Sequence, residues 1–321
     1  MESLSFNLHP VPPFRLDLTA WALRRRPHNI VDRWDGTTYR RVLVLGDEPL
    51  ETSVTQEGTT DHPRLRVSLR GRRIREEDRP AAAGLLRGML GLRIDLSPFY
   101  RIAAMDKCLA PLAECFRGHK PPRFPSLFEG LANAIACQQL SLTVGIWVLN
   151  RLARKCGPAL RLQDSVHHAF PRPEDIRLLH EGDLRRMGFS YAKARYLQAI
   201  AAGGVLDAER LEPLADQAVV KKLQNFRGVG RWTAEYALLR GLGRTNVFPG
   251  DDVGARNRLA AWLGRKGPMD YESVQRSVRQ WQPYSGLVYF HLLLDGLSQS
   301  RMLGEDSGDG EHAPRSGTCS R

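Results

Sequence analysis

The sequence predicts a mostly α-helical protein with a small α+β domain at its N-terminal end. Two segments alternate apolar and polar residues in the manner of half-buried strands, residues 4–8 and 65–69. From Ser97 onward this alternation gives way to stretches of helical period, which are separated by turns rich in glycine and proline. We therefore predict a layer of strands and helices followed by a helical core.

This pattern divides the chain into three parts. Residues 1–98 form the predicted N-terminal α+β domain, residues 99–300 the helical domain, and residues 301–321 a tail. The tail is rich in Gly, Ser, Asp and Glu and has no apolar periodicity, so we expect it to be disordered. We expect the N-terminal domain to buttress the helical core rather than to recognise a ligand directly.

Several elements can be placed within these parts. The apolar run Val42–Leu45 predicts a third strand, and residues 14–22 and 81–92 have apolar positions at helical spacing. Ser126 and Glu129 form the Ser-x-x-Glu pattern of a capping box, which predicts the start of a helix. No strand is predicted beyond residue 98.

The charge balance favours a polyanionic partner. The chain has 47 Lys and Arg against 35 Asp and Glu, which gives a formal net charge of +12. A surface of this charge attracts nucleic acid. Charge alone is weak evidence, because the excess is mostly arginine and arginine content also follows the base composition of a coding sequence.

The sequence gives no support for a membrane protein or a metal-binding protein. No apolar run approaches the 18 to 20 residues of a membrane span, and Met1–Leu4 do not begin a secretory signal, so we expect a soluble, cytoplasmic protein. The five cysteines include no C-x2-C pair, which argues against a zinc ribbon or an iron–sulfur cluster.

A Gly-Val-Gly turn is the most informative segment. Gly228, Val229 and Gly230 separate a short helical run from a second one that begins at Arg231. Two glycines allow a tight turn with positive φ, and the exposed N–H groups of the turn and the helix start can bind phosphate oxygens. Val229 would anchor the turn inward. An ordinary helix end at Gly228 explains the spacing equally well.

The wider pattern resembles the helix-hairpin-helix DNA glycosylase superfamily, and within it the bacterial alkylated-base (3-methyladenine) glycosylases. In that superfamily the hairpin precedes a Gly/Pro-rich loop with a catalytic aspartate, a pattern matched by Val247–Asp252. The resemblance implies a helical core of two subdomains with the lesion pocket between them. It also implies a nucleoid-associated enzyme, by default a monomer, that acts on double-stranded DNA containing damaged bases.

The resemblance assigns the catalytic role to Asp252. Breaking an N-glycosidic bond develops an oxocarbenium-like sugar, and a purine that is already cationic departs without protonation. One carboxylate facing the sugar can then stabilise the cation and orient or deprotonate water. The alternative is that Asp251 or Asp252 caps the helix that begins near Val253, and we expect that role for Asp251.

Strand cleavage is not expected. Related bifunctional members carry a Schiff-base lysine just after the second hairpin glycine, and this chain has Trp232 there. We therefore predict base release by hydrolysis without cleavage at the abasic site.

Aromatic side chains are expected to hold the flipped base by stacking and cation–π attraction. Trp232 and Tyr236 stand four residues apart on one helical face. The resemblance adds Phe128, Trp281 and Tyr284 to the pocket. Plain core packing is the alternative for Trp232 and Trp281.

The resemblance also implies the contacts with DNA. The expected set comprises Gly228, Val229, Gly230, Arg231 and Thr233 at the hairpin, Gln139 and Leu140 at an intercalating turn, and Ser190 and Lys193 at a second helix start. Either Gln139 or Leu140 would fill the gap left by the flipped base, and a solvated basic helix is the alternative for Lys193. No cofactor is expected to be required, although the carbonyls of Leu223, Phe226 and Val229 are implied to bind a structural Na⁺ or K⁺.

Two other functions remain open at this stage. One is a related glycosylase for deaminated or oxidised bases, and the other is a non-catalytic module that binds damaged DNA.

Overall fold

A computed structural model describes residues 1–163, 165–203 and 208–303. An antiparallel five-stranded sheet forms the N-terminal layer, in the order β1-β5-β4-β3-β2. Its strands are β1 (Glu2–Leu8), β2 (Arg33–Trp34), β3 (Thr38–Leu45), β4 (Glu48–Glu57) and β5 (Arg64–Gly71). The three predicted strands are thus confirmed, and Phe6 pairs with Val67 on the buried face that the alternation predicts.

Helices make up most of the described remainder of the chain. Their bounds are α1 (Leu16–Arg24), α2 (Asp78–Met89), α3 (Ser97–Ala104), α4 (Leu109–Cys115), α5 (Leu127–Cys137), α6 (Leu142–Cys156), α7 (Pro173–Arg177), α8 (Glu181–Arg186), α9 (Tyr191–Ala202), α10 (Ala208–Leu211), α11 (Asp216–Gln224), α12 (Arg231–Gly241), α13 (Val253–Trp262), α14 (Tyr271–Val278) and α15 (Ser285–Gln299). A 3₁₀ turn, Arg279–Trp281, precedes α15.

Side-chain caps fix where several helices begin. The Ser126 hydroxyl accepts a hydrogen bond from the Glu129 backbone N–H, so the predicted helix start is confirmed, while the Glu129 carboxylate binds Arg41 and does not complete the capping box. Ser141 and Ser190 cap α6 and α9 in the same way. These caps satisfy N–H groups that have no partner inside their own helix.

Two large hydrophobic clusters fill the interior. The first joins the inner face of the sheet to α1–α4 and to the C-terminal helices α13–α15, so the N-terminal layer and the end of the chain share one core. The second lies among α5–α9, α11 and α12. Burial of these apolar surfaces is the main stabilising contribution to the fold.

The structure corrects two expectations about the organisation of the chain. A two-stranded hairpin, β6 (Ala159–Leu162) and β7 (Ser165–His168), lies in the segment predicted to be wholly helical. Each strand is only four residues long and only Leu160 is buried, so the segment is too short for its alternation to indicate a strand. The predicted division at residue 98 also falls inside α3.

The predicted disordered tail lies mostly outside the described residues, which end at 303. Within the part that is described, Met302 and Leu303 pack against the first hydrophobic cluster. No helix in the described ranges is long and apolar enough to cross a membrane.

A buried ion cluster connects the sheet to the helical core. Arg41 of β3 donates to Asp32 at 2.7 Å and to both carboxylate oxygens of Glu129 on α5 at 2.5 and 2.6 Å. All three side chains are almost fully buried. The Glu129 carboxylate therefore joins α5 to the N-terminal sheet. Charges buried in this way must remain paired, because an isolated buried charge is very unfavourable.

We expect Arg41→Met to lower the free energy of unfolding by about 3–5 kcal/mol, since it leaves two buried carboxylates without their cation. Arg40→Met is the matched control, because Arg40 is the adjacent residue and its ion pair with Asp35 is partly exposed. The control should change stability by no more than about 1 kcal/mol. Denaturant unfolding at neutral pH measures both variants, and equal effects would contradict a structural role for the cluster.

Candidate active site

A cavity of about 750 Å³ is lined by side chains of both hydrophobic clusters, such as Tyr289 of the first and Leu142 of the second. Its wall is formed by the chain just after α1, the turn between α5 and α6, one face of α12, the start of α13 and one side of α15. Trp232 and Tyr236 lie side by side on this wall, as their spacing predicts, with ring centroids 5.6 Å apart. The size and the mixed aromatic and polar lining suit a small aromatic ligand.

Asp252 lies on the cavity wall and is fixed by three hydrogen bonds. Its Oδ1 accepts from the Ala255 backbone N–H at 2.9 Å, so Asp252 is the N-cap of α13. Its Oδ2 accepts from Trp232 Nε1 at 3.3 Å and from the Tyr289 hydroxyl at 3.1 Å. The carboxylate is therefore held in one orientation beside the aromatic wall.

The helix cap was predicted at Asp251, and that prediction is wrong. Asp251 instead accepts a hydrogen bond from Arg231 Nε at 2.7 Å, and the Arg231 guanidinium lies 3.5 Å from the centre of the Tyr271 ring. Asp252 therefore both caps α13 and lies on the cavity wall. The two roles are compatible because the side chain of a cap faces the open end of its helix. Asp251 binds the cavity wall to the first turn of α12.

The Gly-Val-Gly turn forms a hairpin between α11 and α12. Gly228 has φ +89°, and a Cβ there would lie 2.1 Å from the Tyr196 ring, so both backbone and space require glycine. Val229 is buried in the second cluster, as predicted. Gly230 and Arg231 are exposed at the start of α12, where the free N–H groups of a helix start can bind an anion.

The turn after α5 lies at the edge of the cavity. Gln139 has φ +54° and is exposed, and Leu140 keeps 41% of its surface accessible. Both residues line the cavity. The preceding Gln138 donates from Nε2 to the Gly228 carbonyl and to Thr233 Oγ1, each at 2.9 Å. This side chain links the turn to the hairpin, and Thr233, which was expected to contact DNA, is buried.

Lys193 does not present its ammonium to solvent, which corrects the expected phosphate contact. The side chain is buried, and Nζ donates to the carbonyls of Ala136 at 3.1 Å and Gln138 at 2.5 Å. Burial lowers the pKa of the ammonium. Lys193 thus stabilises the carbonyl end of α5. Ser190 remains exposed, with its hydroxyl capping α9.

Three of the predicted pocket aromatics do not line the cavity. Trp281 is buried in the first cluster, packs on Trp262 and donates to Asp106 at 2.7 Å. Tyr284 packs against Phe99 in that cluster, and Phe128 is buried in the second. These three side chains pack in the core and not in the cavity. The sequence pattern does not reveal which face of a helix or turn meets the cavity.

The cavity also contains residues that the sequence patterns did not indicate. They are Arg25, Arg26, Arg240, Arg258, Tyr289 and Leu293. The first two lie immediately after α1, so the N-terminal part of the chain forms part of the cavity wall and does more than buttress the core. The only sequence signal for Arg25 and Arg26 was their place in a run of three arginines at the end of a predicted helix. Basic residues are also common at solvent-exposed helix ends, so the run did not indicate a cavity.

The carbonyls expected to bind a cation belong to consecutive turns of the hairpin. The Phe226 N–H donates to the Leu223 carbonyl at 3.1 Å, and the Val229 N–H donates to the Phe226 carbonyl at 3.0 Å. Each of these oxygens has a second lone pair that a cation could use. No group of three or more His, Cys, Asp or Glu side chains among the described residues is placed to hold a metal ion.

Comparison with known proteins identifies the class to which this architecture belongs. Residues 132–283, which include the hairpin and Asp252, match the family model described as HhH-GPD superfamily base excision DNA repair protein. The chain belongs to this superfamily.

Individual relatives carry more specific names. The chain is 31% identical over 206 residues to a DNA-3-methyladenine glycosylase of Bacillus subtilis, a match that covers 62% of this chain and 68% of the relative. It is 27% identical to DNA-3-methyladenine glycosylase 2 of Escherichia coli, over 59% of this chain and 64% of that protein. The fold resembles the 3-methyladenine DNA glycosylase of Archaeoglobus fulgidus with a TM-score of 0.78 and 24% identity, over 90% and 97% of the two chains.

Replacing the first hairpin glycine tests the geometry of the turn. We expect Gly228→Ala to lower the free energy of unfolding by about 1–3 kcal/mol, because it strains the backbone and collides with Tyr196. Gly230→Ala is the control, since a Cβ there meets nothing within 4 Å and φ is −81°. Its cost should stay within about 1 kcal/mol. Thermal or denaturant unfolding distinguishes the two, and a larger cost for Gly230→Ala would contradict this description of the turn.

Proposed function

We propose that this protein is a monofunctional DNA glycosylase of base excision repair, which flips a damaged purine into the cavity and releases it by hydrolysis. The observation that carries the proposal is the Asp252 carboxylate, fixed on the wall of an aromatic cavity by Trp232 and Tyr289. The names of the relatives support alkylated bases of the 3-methyladenine and 7-methylguanine type as substrates.

The chemistry assigned to Asp252 follows from its charge and its surroundings. As the bond between C1′ and the base breaks, positive charge develops on the sugar, and a carboxylate facing it lowers the barrier. Water then bonds to C1′ and gives a proton to the carboxylate. Trp232 and Tyr289 both donate to Oδ2, so they orient the carboxylate before the substrate arrives.

Binding to DNA is supported by charge at the mouth of the cavity. In the part of the chain that the structure describes, neither Arg26 nor Arg258 forms an ion pair. The positive charge of Arg258 and Arg25 contributes, after burial, to a lowered pKa of Arg26. Like charges held together in this way favour a bound phosphate. The hairpin N–H groups would hold the backbone, and Gln139 or Leu140 would fill the gap in the duplex.

Further features of the proposal rest on the resemblance to the superfamily. The two hydrophobic clusters would correspond to two helical subdomains that flank the lesion pocket. The carbonyls of Leu223, Phe226 and Val229 would coordinate a monovalent cation, since backbone carbonyls are suitable oxygen ligands for K⁺. The enzyme would act as a monomer on nucleoid DNA.

The Asp252 carboxylate can be tested without removing the helix cap. Asn keeps the cap through Oδ1 but turns its NH₂ group toward the Trp232 N–H, so Asp252→Asn should cost about 1–2 kcal/mol of stability and lose base release by at least about a hundredfold. Asp252→Ala should also lose about 1 kcal/mol of stability with the cap. Release of free base from methylated duplex DNA measures the activity. Unchanged release by Asp252→Asn would favour a different catalytic residue, and absence of release by the wild type would favour a damage-binding module.

The absence of strand cleavage is tested separately. We expect the wild type to leave abasic sites in intact strands and to form no covalent adduct with DNA in the presence of borohydride, because Trp232 occupies the position of the Schiff-base lysine. Gel analysis of the products, with and without alkali to cut abasic sites, gives the readout. A trapped adduct would show that another amine serves as nucleophile.

A further inference from the structure

A row of exposed apolar side chains leads from the edge of the cavity along α6. Leu140 belongs to the turn that lines the cavity, and Val144 and Trp147 follow on the exposed face of the helix. These three side chains are 41%, 43% and 47% exposed. Single exposed apolar residues are common, but a contiguous row beside a candidate active site indicates a contact surface.

Trp147 is held in one position although half of it is exposed. Its ring stacks on the His28 ring, with centroids 4.5 Å apart and an angle of 14° between the planes. His28 Nε2 donates to the Thr143 carbonyl at 3.3 Å, and the His28 carbonyl accepts from Asn150 Nδ2 at 2.7 Å. A side chain that is ordered in advance loses little conformational entropy when it meets a partner.

The charged side chains along this face are all positive. No acidic residue occurs in α6, and Arg151, Arg154 and Lys155 are exposed in its second half. None of these three forms an ion pair with a carboxylate in the part of the chain that the structure describes. At the other end, Arg26 donates to Thr143 Oγ1 at 3.0 Å and lines the cavity. The apolar row therefore has cations at both ends.

A shallow concavity of about 440 Å³ lies at the basic end of this face. Its lining combines the three cations of α6 with residues of α8 and its C-terminal end, namely Asp183, Arg186 and Met187. Asp183 accepts from Arg186 at 2.6 Å, so its charge is already offset. The cations of α6 thus leave an excess of positive charge, which favours a bound phosphate.

The dimensions and the charge favour DNA over a protein as the occupant. The apolar row is one side chain wide, whereas a stable protein interface buries about 800 Å² on each partner. The minor groove of DNA is only about 6 Å wide, and proteins commonly enter it with apolar side chains between flanking cations. The row also begins at Leu140, where the proposed function already places the duplex.

We propose that the exposed face of α6 is a second contact with DNA, which lies along the minor groove of the duplex beside the damaged base. Val144 and Trp147 pack against the sugars, and Arg151, Arg154 and Lys155 bind phosphates at the far end. The helix has 15 residues and is about 22 Å long, so the contact extends over about six base pairs. The proposal rests on the glycosylase function proposed above, but the contact needs no damaged base and therefore also serves on undamaged DNA.

The first experiment measures the affinity of the protein for a labelled duplex without a lesion. Trp147→Ala should weaken binding by about tenfold, because it removes the ordered apolar contact. Val144→Glu should weaken it by at least about tenfold, because it places an acid among the phosphates. Glu is a favourable residue at this position of a helix capped by Ser141, so this variant keeps α6 intact.

Met105 provides the matched controls for both substitutions. It is an exposed apolar residue that follows α3 and lies outside both α6 and the cavity lining. Met105→Ala should bind as the wild type does, and Met105→Glu should weaken binding by no more than about twofold. Wild-type affinity in both α6 variants would overturn the groove contact and leave this face to a protein partner.

The second experiment measures how affinity for the same duplex depends on salt. Each phosphate contact contributes about 0.9 to the slope of log K against log salt concentration, so Arg151→Gln combined with Arg154→Gln should make the slope shallower by about 1.8. Arg70→Gln combined with Arg72→Gln is the control. It removes the same charge from exposed positions in and just after β5. Equal changes of slope would show an effect of net charge alone and would overturn the phosphate contact.

Release of free base from methylated duplex by the wild type is scored separately. If the wild type releases no base but the variants weaken binding as described, the glycosylase function is overturned and the α6 contact stands. If the wild type releases base and every α6 variant binds as its control does, the α6 contact alone is overturned.

Discussion

The proposed chemistry depends on the position of one carboxylate, and a helix start determines that position. Asp252 caps α13 with one oxygen and receives hydrogen bonds from Trp232 and Tyr289 on the other. A cap is one of the most restrained places for an acidic side chain, because the helix N–H groups bind it in a single geometry. A flexible carboxylate would have to be ordered in each catalytic cycle, which costs conformational entropy.

The N-terminal layer has a larger part in the site than its sequence indicates. It shares a hydrophobic cluster with α13–α15, and Arg41 binds it to α5 through a buried ion cluster. These contacts hold the end of α1 at the cavity, where Arg25 and Arg26 form part of the wall. The layer is therefore part of the active-site scaffold, and damage to its packing would be expected to affect the cavity.

Much of the fold could be predicted because it is encoded locally. Alternation located β1 and β5, an apolar run located β3, and Ser126 marked the beginning of α5, whereas β2, β4 and the β6–β7 hairpin were not predicted. The hairpin was indicated by its two glycines, and Asp252 was singled out because Val247–Asp252 resembles the catalytic loop of the superfamily. Contacts between distant segments could not be found in this way. Lys193 has the composition of a phosphate ligand, yet it binds carbonyls of α5, and Trp281 has the composition of a pocket residue, yet it lies in the core.

The Gln138 side chain has a consequence for how the protein would handle a duplex. It joins the turn of Gln139 and Leu140 to the Gly228 carbonyl and Thr233. The turn after α5 and the glycine hairpin, which are proposed to enter the base stack and to hold the strand, are therefore linked directly. In the proposed function, a distortion of the duplex at one of these contacts would act on the other over a fixed span, so the protein would respond to the local stiffness of DNA. Weakly stacked sites would yield first, before any base is inspected in the cavity.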